Sequence, residues 1–158
     1  MAIHKILIAV DDSKYAQHAA EFGFDLARTY KAEVGLVSIV EPIIYPVSGT
    51  DTITGVPIEG STIDEAAMLK IQSESAENIM QQTTKMLGAD LQVTRFTEYG
   101  VTADGILKCG KEFNADMIVV GTHSRTGLGR LFMGSVAEHV VRHSYVPVLV
   151  VPLRESDS

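Results

Sequence analysis

The sequence is poor in cysteine and in positive charge. Cys109 is the single cysteine among 158 residues, which excludes an intramolecular disulfide and fits a reducing, cytoplasmic compartment. Lysine and arginine total 13 against 20 acidic residues, which gives a net charge of -7. Because nucleic acids and anionic membrane surfaces are bound by clustered cations, we expect no nucleic-acid partner and no membrane partner.

Long apolar runs are also missing from the sequence. No stretch approaches the roughly 20 apolar residues that cross a bilayer, and the run from His4 to Val10 is too short for a signal peptide. At 158 residues with 46% hydrophobic content, the chain is long enough to bury a core. We expect one domain over residues 1–152 and a polar tail over residues 153–158.

Five short runs rich in β-branched residues predict strands. Several are continuously apolar rather than alternating, as in Met117 to Val120. Continuously apolar strands are typical of a parallel sheet that helices cover on both faces. The predicted strands are Ile3–Val10, Glu33–Val40, Leu91–Glu98, Asp116–Gly121 and Val146–Val151.

Helical patterns separate these strands. Small residues recur at helical spacing between the first two strands, which predicts a helix packed closely on the sheet. Further helices are predicted over Thr62–Leu87, over Val101–Phe113 and after Ser135, with capping boxes at Thr62 and Ser135. The small residues of the first helix are Ala16, Ala20, Gly23 and Ala27. Strict alternation predicts an α/β protein with a doubly wound, open, five-stranded parallel sheet and helices on both faces.

The segment from Glu41 to Ser61 falls outside this alternation. It holds three prolines and three glycines and shows neither helical nor strand periodicity. Loops of this length are uncommon unless they are functional or disordered. A mobile surface loop and a lid over a ligand both remain open as interpretations.

The first predicted strand ends in Val10-Asp11-Asp12-Ser13. In an open parallel sheet, ligands bind beyond the carboxyl ends of the strands, where the strand order reverses. Acidic side chains there reach a ribose hydroxyl or a metal bound to phosphate, or they cap the next helix. We interpret Asp11 mainly as a ligand contact, and Asp12 and Ser13 mainly as helix caps.

The fourth predicted strand runs into a glycine-rich segment from Gly121 to Ser135. Its glycines let the backbone approach a ligand, and the helix start that follows favours an anion. His123, Arg125 and Arg130 make the segment locally basic. The pattern predicts a phosphate site; the alternative is a glycine-rich connection with Ser135 as an ordinary N-cap. The segment is not a P-loop, and it lacks the third glycine of a dinucleotide fingerprint.

Two histidines and the single cysteine are further candidates for a functional role. His139 and His143 lie four apart on a predicted helix, but no third metal ligand is evident, so we expect no metal site. Cys109 has no neighbouring partner in sequence and is expected to be a buried, inert thiol. No residue is predicted to be catalytic, because no base is placed beside the predicted phosphate site. Slow hydrolysis of a phosphate-bearing ligand is the most turnover that we expect.

These segments together resemble the universal stress protein family, in its UspA-like, ATP-binding branch. The branch motif, glycine, two residues, glycine, nine residues, glycine and serine or threonine, is matched by Gly121, Gly134 and Ser135, whereas Ser124 replaces its second glycine. The resemblance covers essentially the whole chain. It extends to Val10–Ser13, to Ser38–Pro42 and to Pro147–Pro152.

The resemblance implies a Rossmann-like sheet of strand order 3-2-1-4-5 and a role for each matched position. Asp11 would contact the ribose, with Ala9 and the backbone of Ile39 near the adenine. The other implied contacts are Val120 and Gly121 at the entry to the loop, Ser124 and Arg125 within it, and Gly134, Ser135 and Val136 at the phosphates. If Ser124 keeps a negative φ, its hydroxyl would donate to a phosphate, whereas a positive φ would lower affinity.

The implied function is a regulatory one in the stress response, governed by ATP, alone or with Mg²⁺. Family members resemble one another in pairing through the last strand, so a homodimer through Val146 to Val151 is expected. The alternative is a dimeric interaction module of the same family that binds no nucleotide. AMP or another adenylate remains open as the ligand in place of ATP.

Overall fold

The chain alternates strands and helices from its first element to its last. The computed structural model describes residues 2–42, 65–122 and 133–153. Within these ranges lie five strands and four helices. The strands are β1 (Lys5–Ala9), β2 (Glu33–Val40), β3 (Val93–Tyr99), β4 (Met117–Gly121) and β5 (Val148–Val151), and the helices are α1 (Lys14–Tyr30), α2 (Glu65–Leu87), α3 (Thr102–Phe113) and α4 (Ser135–His143).

The strands form one parallel sheet in the order β3-β2-β1-β4-β5, as predicted. β1 lies at the centre, with Leu7 opposite Gly35 of β2 on one side and opposite Ile118 of β4 on the other. The chain winds outward from β1 to β3 and then returns to the other side for β4 and β5. The strand order therefore reverses between β1 and β4, where a ligand site is expected in a doubly wound sheet.

Helices α1 and α2 pack on one face of the sheet. The fully buried residues between them and the strands include Ile8, Phe24 and Met80. Gly23 shows how closely α1 approaches, because a Cβ built there would lie 2.5 Å from Cδ1 of Ile8. Ala16, Ala20 and Ala27 are buried on the same side of α1, so the predicted small-residue face is confirmed.

Helices α3 and α4 pack on the opposite face. Leu7, Ile106, Ile118 and Val140 form the centre of this second core, and each is buried to within 2% of complete. Cys109 belongs to the same core and has no exposed surface. Burial, reinforced by the nearby charges of Glu98 and Glu112, raises the pKa of its thiol to about 12. The predicted burial of this cysteine is confirmed.

The amino ends of β1 and β4 are joined by a carboxylate. Oδ2 of Asp116 accepts hydrogen bonds from the backbone N–H groups of His4 at 2.7 Å and Lys5 at 2.9 Å. Asp116 N–H in turn donates to the carbonyl of Lys5. These hydrogen bonds fix β1 against β4 at their amino ends, whereas the ligand site is expected at their carboxyl ends.

The observed strand boundaries differ from the predicted ones by no more than two residues. β1 begins at Lys5 rather than Ile3, and β3 runs from Val93 to Tyr99. β5 begins at Val148 because Ser144 closes a turn, its hydroxyl donating to the Val146 carbonyl and accepting from the Val146 N–H. Among the described helices, none is long and apolar enough to cross a membrane.

Candidate functional site

Three predicted ligand contacts, two near the adenine and one at the entry to the loop, lie on neighbouring strands. Ile39, Ala9 and Val120 come near the carboxyl ends of β2, β1 and β4, which are adjacent in the sheet. All three belong to the core under α3 and α4, where Val120 is 3% exposed and the other two are half-buried. The fold therefore brings them to one face and one edge of the sheet, at the reversal of strand order.

Asp11 follows β1 and is held in a tight turn. Its Oδ1 accepts a hydrogen bond of 2.7 Å from the N–H of Ser13. Its side chain is half-buried, and no second partner of the carboxylate lies among the described residues. The turn fixes the direction of the carboxylate at the carboxyl end of the central strand and leaves acceptor capacity for a hydroxyl group.

Ser13 caps helix α1. It has extended dihedral angles, φ -82° and ψ 148°, and its hydroxyl oxygen accepts from the N–H of Ala16. The predicted capping role of Ser13 is confirmed. Asp12 is exposed between Asp11 and this cap.

Gly121 ends β4 in close contact with the first turn of α1. A Cβ built on Gly121 would lie 2.8 Å from the carbonyl oxygen of Tyr15, a backbone atom that cannot rotate away. A glycine is therefore required at this position. Tyr15 is a half-buried neighbour of the site that the sequence gave no reason to single out, because the contact depends on how α1 packs across β4.

Helix α4 begins with a glycine in an unusual conformation. Gly134 is the N-cap residue, with φ 73° and ψ 140°, and it has no side chain with which to cap the helix. The predicted capping box at Ser135 and Glu138 is wrong. Ser135 is the first helical residue, so its own N–H is one of those needing an acceptor. Glu138 instead accepts a hydrogen bond of 2.7 Å from Arg142.

The start of α4 is suited to an anion. Across the described ranges, the N–H groups of Ser135 and Val136 have no acceptor, and Ser135 is exposed. Free N–H groups and the helix dipole both favour a negative charge at this position. A phosphate fits this donor set, since its oxygens accept several N–H bonds at once. Gly134, Ser135 and Val136, the residues predicted to contact phosphate, form this helix start, and their contact with phosphate stays a prediction.

The start of α3 is occupied by a carboxylate. Val101 is the N-cap and provides no side-chain hydrogen bond. Glu41, which follows β2, supplies the acceptor: its Oε1 lies 3.1 Å from the N–H of Thr102, and the Thr102 hydroxyl donates to the same oxygen. The sequence did not predict this contact, because 61 residues separate the two partners.

The two histidines of α4 contact each other and a carboxylate of α3. Their rings stack with centroids 4.2 Å apart, and Nε2 of His139 lies 3.1 Å from Oδ1 of Asp104 on α3. Nδ1 of His143 bonds the carbonyl of His139. Within residues 2–42, 65–122 and 133–153, no three histidine, cysteine or acidic side chains are placed to hold a metal ion.

Two predicted phosphate contacts, Ser124 and Arg125, lie outside the described residues. The same holds for residues 43–61, most of the segment interpreted as a surface loop or a lid, and for the predicted capping residue Thr62. Their roles stay predictions.

The fold described above defines a class: a doubly wound α/β protein of Rossmann type, whose strand order reverses between β1 and β4. Residues 2–152 match the model of the Universal stress protein family. The chain belongs to this family.

Relatives support this membership along nearly the whole chain. The chain is 33% identical to Universal stress protein MJ0531 of Methanocaldococcus jannaschii, over 93% of this chain and 81% of that protein. It is 28% identical to Universal stress protein YxiE of Bacillus subtilis, over 94% of this chain and 98% of the relative.

Solved structures show the same fold. Hypothetical protein MJ0577 of Methanocaldococcus jannaschii superposes with a TM-score of 0.78 at 24% identity, covering 98% of this chain and 99% of that one. A universal stress protein from Archaeoglobus fulgidus in complex with dAMP gives a TM-score of 0.60 at 22% identity, over 95% and 98% of the two chains. A universal stress protein in complex with cAMP gives 0.63 at 19% identity, over 96% and 98%.

Proposed function

We propose that this protein binds an adenine nucleotide, with ATP as the leading ligand, at the carboxyl ends of β1 and β4. The nucleotide state would govern the shape or the partners of the protein in the stress response. The base would lie by Ala9 and Ile39, the ribose by Asp11, and the phosphates at Gly134, Ser135 and Val136. Val120 and Gly121 would form the wall between them, with Ser124 and Arg125 completing the phosphate contacts.

The observation that carries this proposal is the start of α4. A glycine at φ 73° serves as N-cap, and no side chain of residues 2–42, 65–122 and 133–153 caps the helix. A positive φ is unfavourable for other residues, so the glycine is needed for this backbone path. A dimeric interaction module without a ligand has no use for such a helix start, which favours nucleotide binding over that alternative.

Two further observations support an adenine nucleotide. Three chemical environments follow one another at the carboxyl ends of the strands. They are apolar residues at β2 and β1, a carboxylate after β1, and N–H groups at the start of α4. A base, a ribose and a phosphate group require these three environments in this order. Structural neighbours in the family were solved with dAMP and with cAMP, which are both adenine nucleotides.

The test is calorimetric titration of nucleotide-stripped protein with ATP and Mg²⁺, beside a Gly134→Val variant. We expect micromolar binding, about -8 kcal/mol, in the unmodified protein. In the variant we expect affinity to fall at least about 100-fold, because valine disfavours the positive φ and crowds the phosphate donors. AMP and GTP titrations in parallel identify which phosphates and which base the site requires.

Gly100→Val is the matched control for this substitution. Gly100 also has a positive φ, 118°, and a Cβ there would meet nothing within 4 Å. Valine is disfavoured at a positive φ there too, but Gly100 lies before α3 rather than α4. Equal binding by the unmodified protein and Gly134→Val, or no heat at millimolar ATP from folded protein, would contradict the proposal.

A homodimer through β5 is the second part of the proposal. β5 is an edge strand of the sheet, and the half-buried side chains of Val148 and Val150 line it. Val141 and Tyr145, just before it, are 43% and 47% exposed. An apolar edge strand offers open backbone groups for pairing with a second copy around a two-fold axis.

Light scattering after size exclusion tests the dimer. We expect twice the chain mass for the unmodified protein and the chain mass for Val148→Lys, whose charge would be buried between the edge strands. Ile71→Lys is the matched control, because Ile71 is an exposed apolar residue on α2, at 59% exposure. A monomeric unmodified protein at micromolar concentration would rule the dimer out.

A further inference from the structure

The amino end of α3 lies directly beside the base half of the proposed site. A Cβ built on Gly105, in the first turn of α3, would lie 2.7 Å from Cδ1 of Ile39. The N–H of Gly100 donates to the carbonyl of Val40 at 3.0 Å, which fixes the approach to the helix. A bound base would therefore have two helix starts at the same end of the sheet, one at α3 and one at α4.

An uncapped α3 would attract phosphate as α4 does. Both helices begin without a capping side chain on the N-cap residue itself, Val101 in α3 and Gly134 in α4. Both carry the positive end of a helix dipole. Unless another group blocks one of the two helix starts, a nucleotide could place its phosphates at either of them.

Glu41 makes the two starts unequal. Its Oε1 accepts from both the N–H and the hydroxyl of Thr102, so the carboxylate is tied to the first residue of α3. Asp104 adds a second carboxylate to the first turn of α3, where Nε2 of His139 lies 3.1 Å from its Oδ1. In α4, the first-turn acid Glu138 is paired with Arg142 at 2.7 Å. Negative charge therefore faces the approach to α3.

We propose that Glu41 is a specificity-determining residue of the nucleotide site. Its carboxylate excludes phosphate from the start of α3 and admits only the orientation with the phosphates toward α4. This inference rests on the proposed function, but its central claim, that Glu41 keeps anions off α3, is measurable without any nucleotide.

The first experiment uses inorganic pyrophosphate as the probe and the full ¹⁵N-labelled chain. In the unmodified protein we expect saturable shifts of the Ser135 and Val136 amides and none of the Thr102 and Ala103 amides. In Glu41→Ala we expect the α3 amides to respond as well, with affinity there raised at least about tenfold. Glu112→Ala removes the same charge from the other end of α3 and should leave the α3 amides silent.

Glu41→Gln separates the charge from the hydrogen bond. The glutamine carbonyl still accepts from Thr102, so the helix remains capped and the variant remains folded even if Glu41→Ala does not. We expect pyrophosphate to bind at α3 in Glu41→Gln more weakly than in Glu41→Ala but detectably. A Glu41→Gln variant whose α3 amides are as silent as those of the unmodified protein would overturn the role of the charge.

The second experiment reads the orientation of the nucleotide. Mn²⁺ carried by ATP broadens the signals of amides near the phosphates. In the unmodified protein we expect broadening at Ser135 and Val136 only, and in Glu41→Ala broadening at both helix starts. Broadening or pyrophosphate shifts at Thr102 in the unmodified protein would refute the inference. If the α4 amides stay silent while those of α3 respond in Glu41→Ala, the exclusion stands and the proposed phosphate site is wrong.

Discussion

Helices α3 and α4 lie side by side on one face of the sheet, but their amino ends are built differently. The start of α3 is closed by Glu41, a residue from the end of a neighbouring strand, which bonds Thr102 twice. The start of α4 follows a glycine at φ 73° and has no capping side chain within the part of the chain that the structure describes. Below its start, α3 is also the more deeply packed helix, with six buried residues against two in α4.

This difference shows how one helix can serve the core and its neighbour can serve a ligand. Closing a helix start with a carboxylate satisfies its N–H groups inside the protein and stabilises the packing. Leaving a helix start open keeps its N–H groups for an external anion, at a cost in stability that the ligand offsets on binding. The proposed site depends on this division between the two helices.

The largest expected effect concerns the packing of α3 around Cys109. Because the pKa of the buried thiol is raised from 9.0 to about 12, its thiolate fraction near pH 8 is lower by about a thousandfold, before any loss of access is counted. We expect the native thiol to react with a thiol-specific reagent at least that much more slowly than the thiol in urea. Native labelling at the unfolded rate would show that α3 opens readily.

The same thiol predicts a loss of stability in alkali. Its folded pKa is raised, so its contribution to stability is fully present below the unfolded value of 9.0 and declines as pH rises toward about 12. Over this window the unfolded chain has released its proton while the folded chain retains it. Urea midpoints between pH 8 and pH 10.5 should fall, and Cys109→Ala should flatten that part of the profile.

The next effect concerns the N-cap residues of the two helices. Gly134→Ala places a side chain at φ 73° and should lower the free energy of unfolding by about 1–2 kcal/mol. Val101→Ala changes an exposed N-cap with ordinary dihedral angles and should stay within about 0.5 kcal/mol. Urea unfolding of both variants gives the comparison. Equal losses would mean that the glycine of α4 is not specially required.

The smallest effect concerns two serines at helix starts. Ser13→Ala removes a true N-cap and should cost about 1 kcal/mol of stability. Ser135→Ala alters the first helical residue of α4, which is not its N-cap, and should stay within about 0.5 kcal/mol. If Ser135→Ala proved as destabilising as Ser13→Ala, α4 would be capped in solution and its start would be closed to an anion.

The fold was predictable from the sequence because its signals are local. Continuous apolar runs such as Met117 to Val120 indicate strands covered on both faces, and small residues such as Ala20 and Gly23 indicate a helix packed closely on a sheet. These patterns predicted the five parallel strands and the alternation. The strand order came from the resemblance to the family, and the structure confirms it.

The site was predictable only where its residues are local to a turn. Ser13 was predicted as a cap because its partner is three residues away. Ser135 was also predicted as a cap, and that prediction is wrong because the preceding glycine, at positive φ, takes the N-cap position. Glu41 and Tyr15 were missed for a different reason. Their contacts with Thr102 and Gly121 exist only once the strands have been ordered in space.

The hydrogen bonds of Asp116 between β1 and β4 have a consequence for how the protein folds. Lys5 and Asp116 are 111 residues apart, whereas β4 and β5 are consecutive strands in the chain. Contacts between distant residues form late, because the loop-closure entropy must be overcome first. The β1–β4 junction should therefore be among the last parts to assemble during synthesis. A partly made chain would contain every residue of Val10–Ser13 yet possess no place for a ligand until β4 emerges.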